Sequence, residues 1–344
     1  MTSGRNNNVG KYNLATMVKV NITSVLIADA VDPKCAELLE KHGIKCTTKT
    51  KLKKDELLQE IKNHDALIVR SSTQVTKEVL EAGDRLKVVG RAGAGVDNID
   101  SDAATARKII VLNTPGGNAI SACELTCSLL TCLARKVVWA AAALRAGRWE
   151  RAKYLGQEAQ GKTLAVLGLG RVGREVAIRM NGFGMRIIGY DPIVSAEDTK
   201  KYNTEKMELS EIWPLADYIT VHTPLMPSTR NLINADVLSK CKQGVCIINV
   251  GRGGLVNEKD LLAGLNSGHV GGAALDVFEQ EPPTDPITLE LIQHPCVIAT
   301  PHLGASTVEA QIRVAVEVGE QFVTLANPDK PLAQICAVNP QLLK

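Results

Sequence analysis

Short apolar runs recur along the chain, each followed by a stretch with helical spacing. The first group is 24–28 (SVLIA), 44–48, 66–69 (ALIV), 87–90 and 109–112. The second is 163–167, 186–190, 216–221 (ADYITV), 245–249 (VCIIN), 270–275 (VGGAAL) and 296–299. Runs this short and this continuously apolar read as strands covered on both faces, and their alternation with helices predicts doubly wound parallel sheets. Asp32 and Pro33 read as the cap and first residue of a helix ending near Gly43, and further helices are expected near 55–62 and 76–82. The stretch 118–147 reads as one long helix, rich in Ala, Leu and Cys with few charges before Arg135, and therefore as buried between lobes or between subunits. A last helix over about 306–326 exceeds what the second group needs and is expected to cross back to the first. The expected fold class is α/β, with two doubly wound parallel-sheet (Rossmann/flavodoxin-like) lobes. The expected divisions are a disordered extension over 1–20, a discontinuous first lobe of 21–115 and 303–344, and a second lobe of 116–302.

The boundary between strand 163–167 and the helix after it carries Gly168-Leu169-Gly170-Arg171-Val172-Gly173. In such a turn the first glycine allows the bend, the second lets backbone approach a pyrophosphate, and the third lets helix and strand pack closely. The helix N-terminus then offers unpaired N–H groups and a positive dipole end to phosphates. Asp191 ends the next strand, 21 residues after Gly170, where an acceptor for the adenosine ribose hydroxyls is expected. A carboxylate there repels a 2′-phosphate, so NAD is expected rather than NADP.

Composition narrows the partners. The net charge is +3, from 40 basic and 37 acidic residues, which gives no strong field for nucleic acid or a membrane surface. No apolar run approaches the roughly 18 residues of a membrane span. The first sixteen residues lack the apolar core of a signal peptide. Nine scattered cysteines, without CxxC spacing, read as reduced thiols of a cytoplasmic protein and not as a disulfide frame or metal site.

Ligands of open parallel sheets bind at the carboxyl ends of strands. The candidates there are Arg70 with Ser71, the loop Arg91 to Gly95, Asp191, His222-Thr223-Pro224, Val250-Gly251-Arg252, Asp276 through Glu281, and His302. His302 suits a general base for alcohol oxidation, because its unperturbed pKa lies near neutrality. Glu281 suits the role of orienting that imidazole, and Arg252, flanked by glycines, suits a bidentate grip on a carboxylate. Asp276 is a candidate acceptor for a nicotinamide amide, and His222 a packing contact to the dinucleotide. From residue type alone, a hydrogen-bonded core histidine, an ordinary acidic loop and a surface ion pair remain open for His302, Glu281 and Arg252.

With those residues in view, the chain resembles the D-isomer-specific 2-hydroxyacid dehydrogenase family. The motifs are GLGRVG at 168–173, VHTPLMPST at 221–229, NVGRGGLVNE at 249–258, AALDVFEQEPP at 273–283 and PHLGAST at 301–307. The segments LIVRSSTQVT at 67–76, VVGRAGAGVDNID at 88–100 and LNTPGGNAISACELT at 112–126 point to members that act on 3-phospho-D-glycerate. The resemblance implies its oxidation by NAD to 3-phosphohydroxypyruvate, the first step of serine synthesis, with Arg252, Glu281 and His302 catalytic. It implies cofactor contacts at Arg171, Val172, Asp191, Thr223, Val250 and Asp276, with Ala94 near the nicotinamide. Substrate contacts are implied at Arg70, Gly93 to Gly95, Arg252 and, from a partner chain, Arg151. A doubly charged phosphate needs cations beyond the one gripping the carboxylate, which suits Arg70 and Arg151. It also implies that 21–115 with 303–344 is the substrate-binding lobe and 116–302 the NAD-binding lobe, with the active site in the cleft between them, and a homodimer or homotetramer paired through the cofactor lobe. Ala94 stands where close relatives often carry threonine, so no hydroxyl contact is expected there. Longer members append regulatory domains beyond the position of Lys344, so serine feedback through such a domain is not expected from these residues. A sibling such as a glyoxylate/hydroxypyruvate reductase, or a NAD-sensing transcriptional corepressor, shares the scaffold and Arg252, Glu281 and His302.

Overall fold

The structure is a computed structural model in which residues 19–343 are described. The chain divides into two compact units, one built from residues up to 118 together with 307 onward, the other from 119–306. Of the stretch expected to be disordered, residues 1–18 lie outside the described residues. Val20, at its end, is buried, and its N–H donates to the carbonyl of Leu325 at 2.9 Å, so folded structure begins before residue 21.

The first unit holds five strands, β1 (Ser24–Ile27), β2 (Lys45–Thr48), β3 (Ala66–Val69), β4 (Val88–Arg91) and β5 (Ile110–Asn113). They are parallel and lie in the order β2-β1-β3-β4-β5. Successive side chains point to opposite faces. Val25, Ile27, Ile68 and Val88 therefore pack with Leu39 and with Val314, Val318 and Phe322 of the C-terminal helix Val308–Ala326. Leu26, Leu67, Val69 and Val89 pack with Leu57, Ile61 and Leu80 on the other face. Burial on both faces is why these strands read as continuous apolar runs. Gly90 lets the returning helix lie close, since a Cβ there would come 2.4 Å from the Phe322 ring. The returning helix thus completes the first unit, and Asn339 ties the segment after it into the sheet by accepting the Val111 N–H at 2.9 Å.

Asp65 anchors the start of this sheet. It accepts the Thr23 hydroxyl at 2.6 Å and the Thr23 N–H at 3.0 Å, and pairs with Arg85 at 3.2 Å and Lys87 at 3.3 Å. Burial opposes its ionisation, but the Thr23 bonds and the charge of Lys87 outweigh it and hold the carboxyl well below the usual range. A depressed folded pKa contributes stability above the unfolded value of about 4, and that contribution is lost as pH falls below it. Asp65→Asn should lower the melting temperature at neutral pH through a loss of about 1–3 kcal/mol. Thermal melts carried down to about pH 3 should show the gap to the wild type narrowing.

The second unit holds seven parallel strands, β6 (Thr163–Leu167), β7 (Arg186–Tyr190), β8 (Glu205–Lys206), β9 (Tyr218–Val221), β10 (Val245–Asn249), β11 (Val270–Leu275) and β12 (Val297–Ala299). Their order is β12-β11-β10-β9-β6-β7-β8, so the chain starts at mid-sheet, runs to one edge, and crosses back to β9. β6 and β9 flank the point where strand order reverses, which is where such sheets place their ligands. β8 has no apolar run to announce it. It is two residues that pair with Ile188 and Gly189 at the edge.

The stretch expected as one helix over 118–147 is two, Ala119–Arg135 and Val137–Arg145, bent by 68°. Lys136 takes left-handed backbone angles at φ 51°. The cause lies in the segment that follows. The carbonyl of Ala134, which an unbroken helix would pair internally, accepts the N–H of Gln157 at 2.8 Å. Gly156 permits the approach, since a Cβ there would lie 2.5 Å from that carbonyl oxygen. The first helix buries Cys123, Leu130 and Leu133 inside the second unit. In the second, by contrast, Val137, Val138 and Leu144 are exposed. No single helix among the described residues is long and apolar enough to cross a membrane.

Candidate active site

The glycine turn after β6 shows the bend and the close packing its spacing implies, with open space at its middle glycine. Gly168 has φ +94°, and a Cβ there would sit 2.7 Å from the His222 backbone. A Cβ on Gly173 would lie 1.9 Å from the Gly168 oxygen, so the helix Arg171–Asn181 packs on the turn only because that position is bare. Beside Gly170 nothing lies within 4 Å, which leaves space at the N-terminus of a helix that Gly170 does not cap with a side chain. Thr223, at the end of β9, has a buried hydroxyl with no hydrogen-bond partner among the described residues. An open cradle over helix N–H groups and an orphaned hydroxyl fit a dinucleotide.

Asp191, expected at a ribose, makes three bonds within the chain itself. Its Oδ2 accepts the Leu169 N–H at 2.8 Å, and its Oδ1 accepts those of Ile193 and Val194 at 2.8 and 3.0 Å. The carboxylate thus ties the glycine turn to the end of β7, with about one of its four acceptor positions spare. His222 faces Thr220, Nε2 to Oγ1 at 2.9 Å, and burial pushes its pKa down to about 4. It is therefore neutral near physiological pH, which suits packing more than proton transfer. Val250 is buried and Gly251 approaches the carbonyl of Val221, while Arg171 and Pro224 are exposed.

Three neighbouring strands, β10, β11 and β12, deliver Arg252, Glu281 and His302. Nδ1 of His302 lies 2.5 Å from Glu281 Oε2, and Glu281 Oε1 accepts the Phe278 N–H at 3.0 Å. Burial opposes the Glu281 charge, but the bonds from His302 and Phe278, with the charges of His302 and Arg252, outweigh it and hold the carboxyl below its usual range. An ionised Glu281 fixes the proton on Nδ1 and leaves Nε2 for a substrate. The Arg252 loop is organised by Asn249, whose Nδ2 donates to the Arg252 carbonyl at 2.8 Å and whose Oδ1 accepts the Gly251 N–H at 3.0 Å. Gly253 seats this loop against the one carrying Glu281, because a Cβ there would lie 1.8 Å from the Phe278 oxygen.

His302 itself sits at φ 55°, a left-handed conformation that costs of order 1–3 kcal/mol in a non-glycine residue. Asp276 supplies the compensation. Its Oδ1 accepts the Thr300 hydroxyl at 2.6 Å and the Leu303 N–H at 2.7 Å, its Oδ2 accepts the Gly304 N–H at 2.8 Å, and its carbonyl accepts the His302 N–H at 2.9 Å. Asp276 is fully buried, so it is first the anchor of the His302 turn. About one acceptor position remains for the nicotinamide amide that sequence reasoning assigned to it. Neither Asn249 nor this use of Asp276 was foreseen. The available signal was a polar residue at the end of an otherwise apolar strand.

In the first unit, Arg70 follows β3. Its N–H donates to Asp29 Oδ2 at 2.6 Å, and its carbonyl accepts from Asn98 at 2.7 Å and Arg91 at 3.0 Å. The guanidinium is half-buried, burial lowers its pKa, and its Nε has no hydrogen-bond partner among the described residues. Such a group is suited to an anion. Ser71 is exposed beside it. The 91–95 loop is stiffened by two bonds: Asn113, at the end of β5, donates to the Ala94 carbonyl at 2.6 Å, and Arg91 to that of Gly95 at 2.8 Å. Gly93 leaves room for the Arg91 guanidinium, 2.5 Å from where its Cβ would be. Arg151 is exposed on a short 3₁₀ turn, Arg151–Tyr154, of the second unit.

A seven-stranded sheet of this order, with a glycine cradle at its switch point and an Arg–Glu–His cluster at neighbouring strand ends, defines a class. Residues 127–304 match the NAD binding domain of the D-isomer specific 2-hydroxyacid dehydrogenases, and the chain belongs to that family. It is 52% identical over 309 residues to the D-3-phosphoglycerate dehydrogenase of Homo sapiens, an alignment covering 90% of this chain and 57% of that protein. The chain therefore spans little more than half the length of this relative. Among solved structures it is similar to the TT0316 protein from Thermus thermophilus, with TM-score 0.83, 31% identity, and coverage of 92% of this chain and 100% of that one. It is also similar to D-lactate dehydrogenase from Aquifex aeolicus complexed with NAD and lactic acid, with TM-score 0.80, 26% identity, and coverage of 89% and 96%.

Proposed function

We propose that the chain catalyses oxidation of 3-phospho-D-glycerate to 3-phosphohydroxypyruvate with NAD, the first step of serine synthesis. The observation that carries the dehydrogenase chemistry is the His302–Glu281 pair, 2.5 Å apart, with the Arg252 charge beside it, and the choice of phosphoglycerate rests on Arg70. His302 Nε2 accepts the proton of the substrate C2 hydroxyl. Glu281 stabilises the imidazolium so formed, and Arg252 grips the adjacent carboxylate through two parallel N–H bonds. NAD, when bound, supplies the hydride acceptor. The first unit serves as the substrate domain and the second as the cofactor domain, with the glycine cradle and Asp191 favouring NAD.

Phosphoglycerate is preferred over an unphosphorylated acid because of Arg70, a half-buried cation with an unpartnered Nε, with Arg151 as a second cation from a partner chain. The exposed Val137, Val138 and Leu144, with Trp149 at 77% and Leu155 at 80% exposure, support pairing of two copies through the second unit. The nine free cysteines support a reducing compartment, the cytoplasm. The test is NAD reduction followed by absorbance, with 3-phosphoglycerate, glycerate and D-lactate offered side by side. A preference for 3-phosphoglycerate is expected. Turnover of only an unphosphorylated acid would move the chain to a sibling activity, and NADH binding without any turnover would favour a sensing role.

A further inference from the structure

The loop that carries Glu281 is held from behind by a residue with no part in the reaction as described. Glu258 opens the helix Glu258–Asn266, and its Oε1 accepts the N–H of Glu279 at 2.7 Å. Its Oε2 accepts the hydroxyl of Thr288, a buried residue on the helix Pro286–Gln293. One carboxylate therefore joins three elements: its own helix, the helix after the loop, and the loop itself two residues before Glu281. Glu279 is restrained a second time by its ion pair with Arg230, at 2.5 Å.

These restraints reach the reacting groups through short links. Glu281 folds back on its own loop, its Oε1 accepting the Phe278 N–H, so a shift at Glu279 moves both the backbone that carries Glu281 and the donor that holds this oxygen. The Arg252 loop rests on the same stretch, where a Cβ on Gly253 would lie 2.6 Å from the Glu279 nitrogen. We propose that Glu258 is a positioning residue: by fixing the Glu279 N–H it sets where Glu281 meets His302 and Arg252. The proposal rests on the reading of the Arg252–Glu281–His302 cluster given above. It assigns Glu258 no proton transfer and no substrate contact.

A bond-making role separates Glu258→Ala from Glu258→Gln. Glutamine keeps an oxygen for the Glu279 N–H and turns its amide to donate to the Thr288 hydroxyl; alanine keeps neither. With 3-phosphoglycerate and NAD, Glu258→Ala should lower kcat by about tenfold to a hundredfold, the range of a small misplacement, with KM changed by less than about threefold. Glu258→Gln should stay within about threefold of wild type, and Thr288→Val, which removes one of the two bonds, should fall between them. The readout independent of turnover is the His302 Nδ1 proton in nitrogen-15 histidine spectra of the protein without ligands. Its signal should be lost in Glu258→Ala and kept in Glu258→Gln.

Wild-type turnover in Glu258→Ala would overturn the proposal, as would equal losses in the alanine and glutamine variants, which would give the carboxylate charge a chemical role. If the wild type turns over none of the acids, the functional reading fails while the Nδ1 signal still decides the positioning claim. If Glu258→Ala does not fold, Thr288→Val and Glu258→Gln decide it.

Discussion

Replacing His302 with asparagine should lower kcat for phosphoglycerate oxidation by about 10²–10⁴-fold, the range of a lost general base, while NADH affinity changes by less than about threefold. The choice of asparagine follows from the backbone. His302 lies at φ 55°, a conformation asparagine tolerates better than alanine or glutamine, so the variant removes the base without adding strain. What it loses is the path from Glu281 Oε2 through Nδ1 to the substrate-facing Nε2. The measurements are steady-state rates with saturating NAD and NADH binding by fluorescence. NADH binding lost in parallel with turnover would make His302 a structural residue of the cofactor turn.

Arg70→Ala should act on one part of the substrate. The half-buried guanidinium has an Nε that no described residue satisfies, and a charge-assisted bond to phosphate from such a group is worth about 1.5–3 kcal/mol. The ratio of kcat/KM for 3-phosphoglycerate to that for glycerate should therefore fall by about tenfold to a hundredfold, while kcat/KM for glycerate alone hardly moves. Equal losses on both acids would remove phosphate recognition from Arg70. The backbone around residue 70 is tied to Asp29 and Asn98 through its N–H and carbonyl, which the substitution keeps, so the bend itself should survive.

What the chain disclosed before folding, and what it withheld, divides along physical lines. Strands β3, β6, β7, β10 and β11 fall at the residues the apolar runs indicated, because burial on both faces leaves a continuous signature. The glycine turn was equally legible, since two positions that admit no side chain, Gly168 and Gly173, show as glycines at fixed spacing around the open Gly170. Arg252, Glu281 and His302 are singled out by one rule, reactive types at strand ends, and in the structure they follow β10, β11 and β12, with His302 on Glu281 and the Arg252 charge beside them. The unforeseen features are bonds between residues far apart in sequence. Asp276 holds a turn 24 to 28 residues away, and Glu258 holds Glu279 and Thr288, separated by 21 and 30 residues. Hydrophobic periodicity carries no record of such pairings. The break at Lys136 belongs with them, because the local pattern favours one helix and Gln157 overrides it by taking the Ala134 carbonyl. β8 escaped for the opposite reason, having too little apolar surface to register.

On the proposed function, this chain moves the C2 hydrogen of 3-phospho-D-glycerate to NAD as hydride. The most direct measurement supplies substrate deuterated at C2 with NAD and locates the label by mass spectrometry of the reduced cofactor. One deuterium on the nicotinamide is expected, with 3-phosphohydroxypyruvate formed in equal amount. NAD left oxidised with this substrate, while glycerate or D-lactate reduces it, would rule out phosphoglycerate as the substrate.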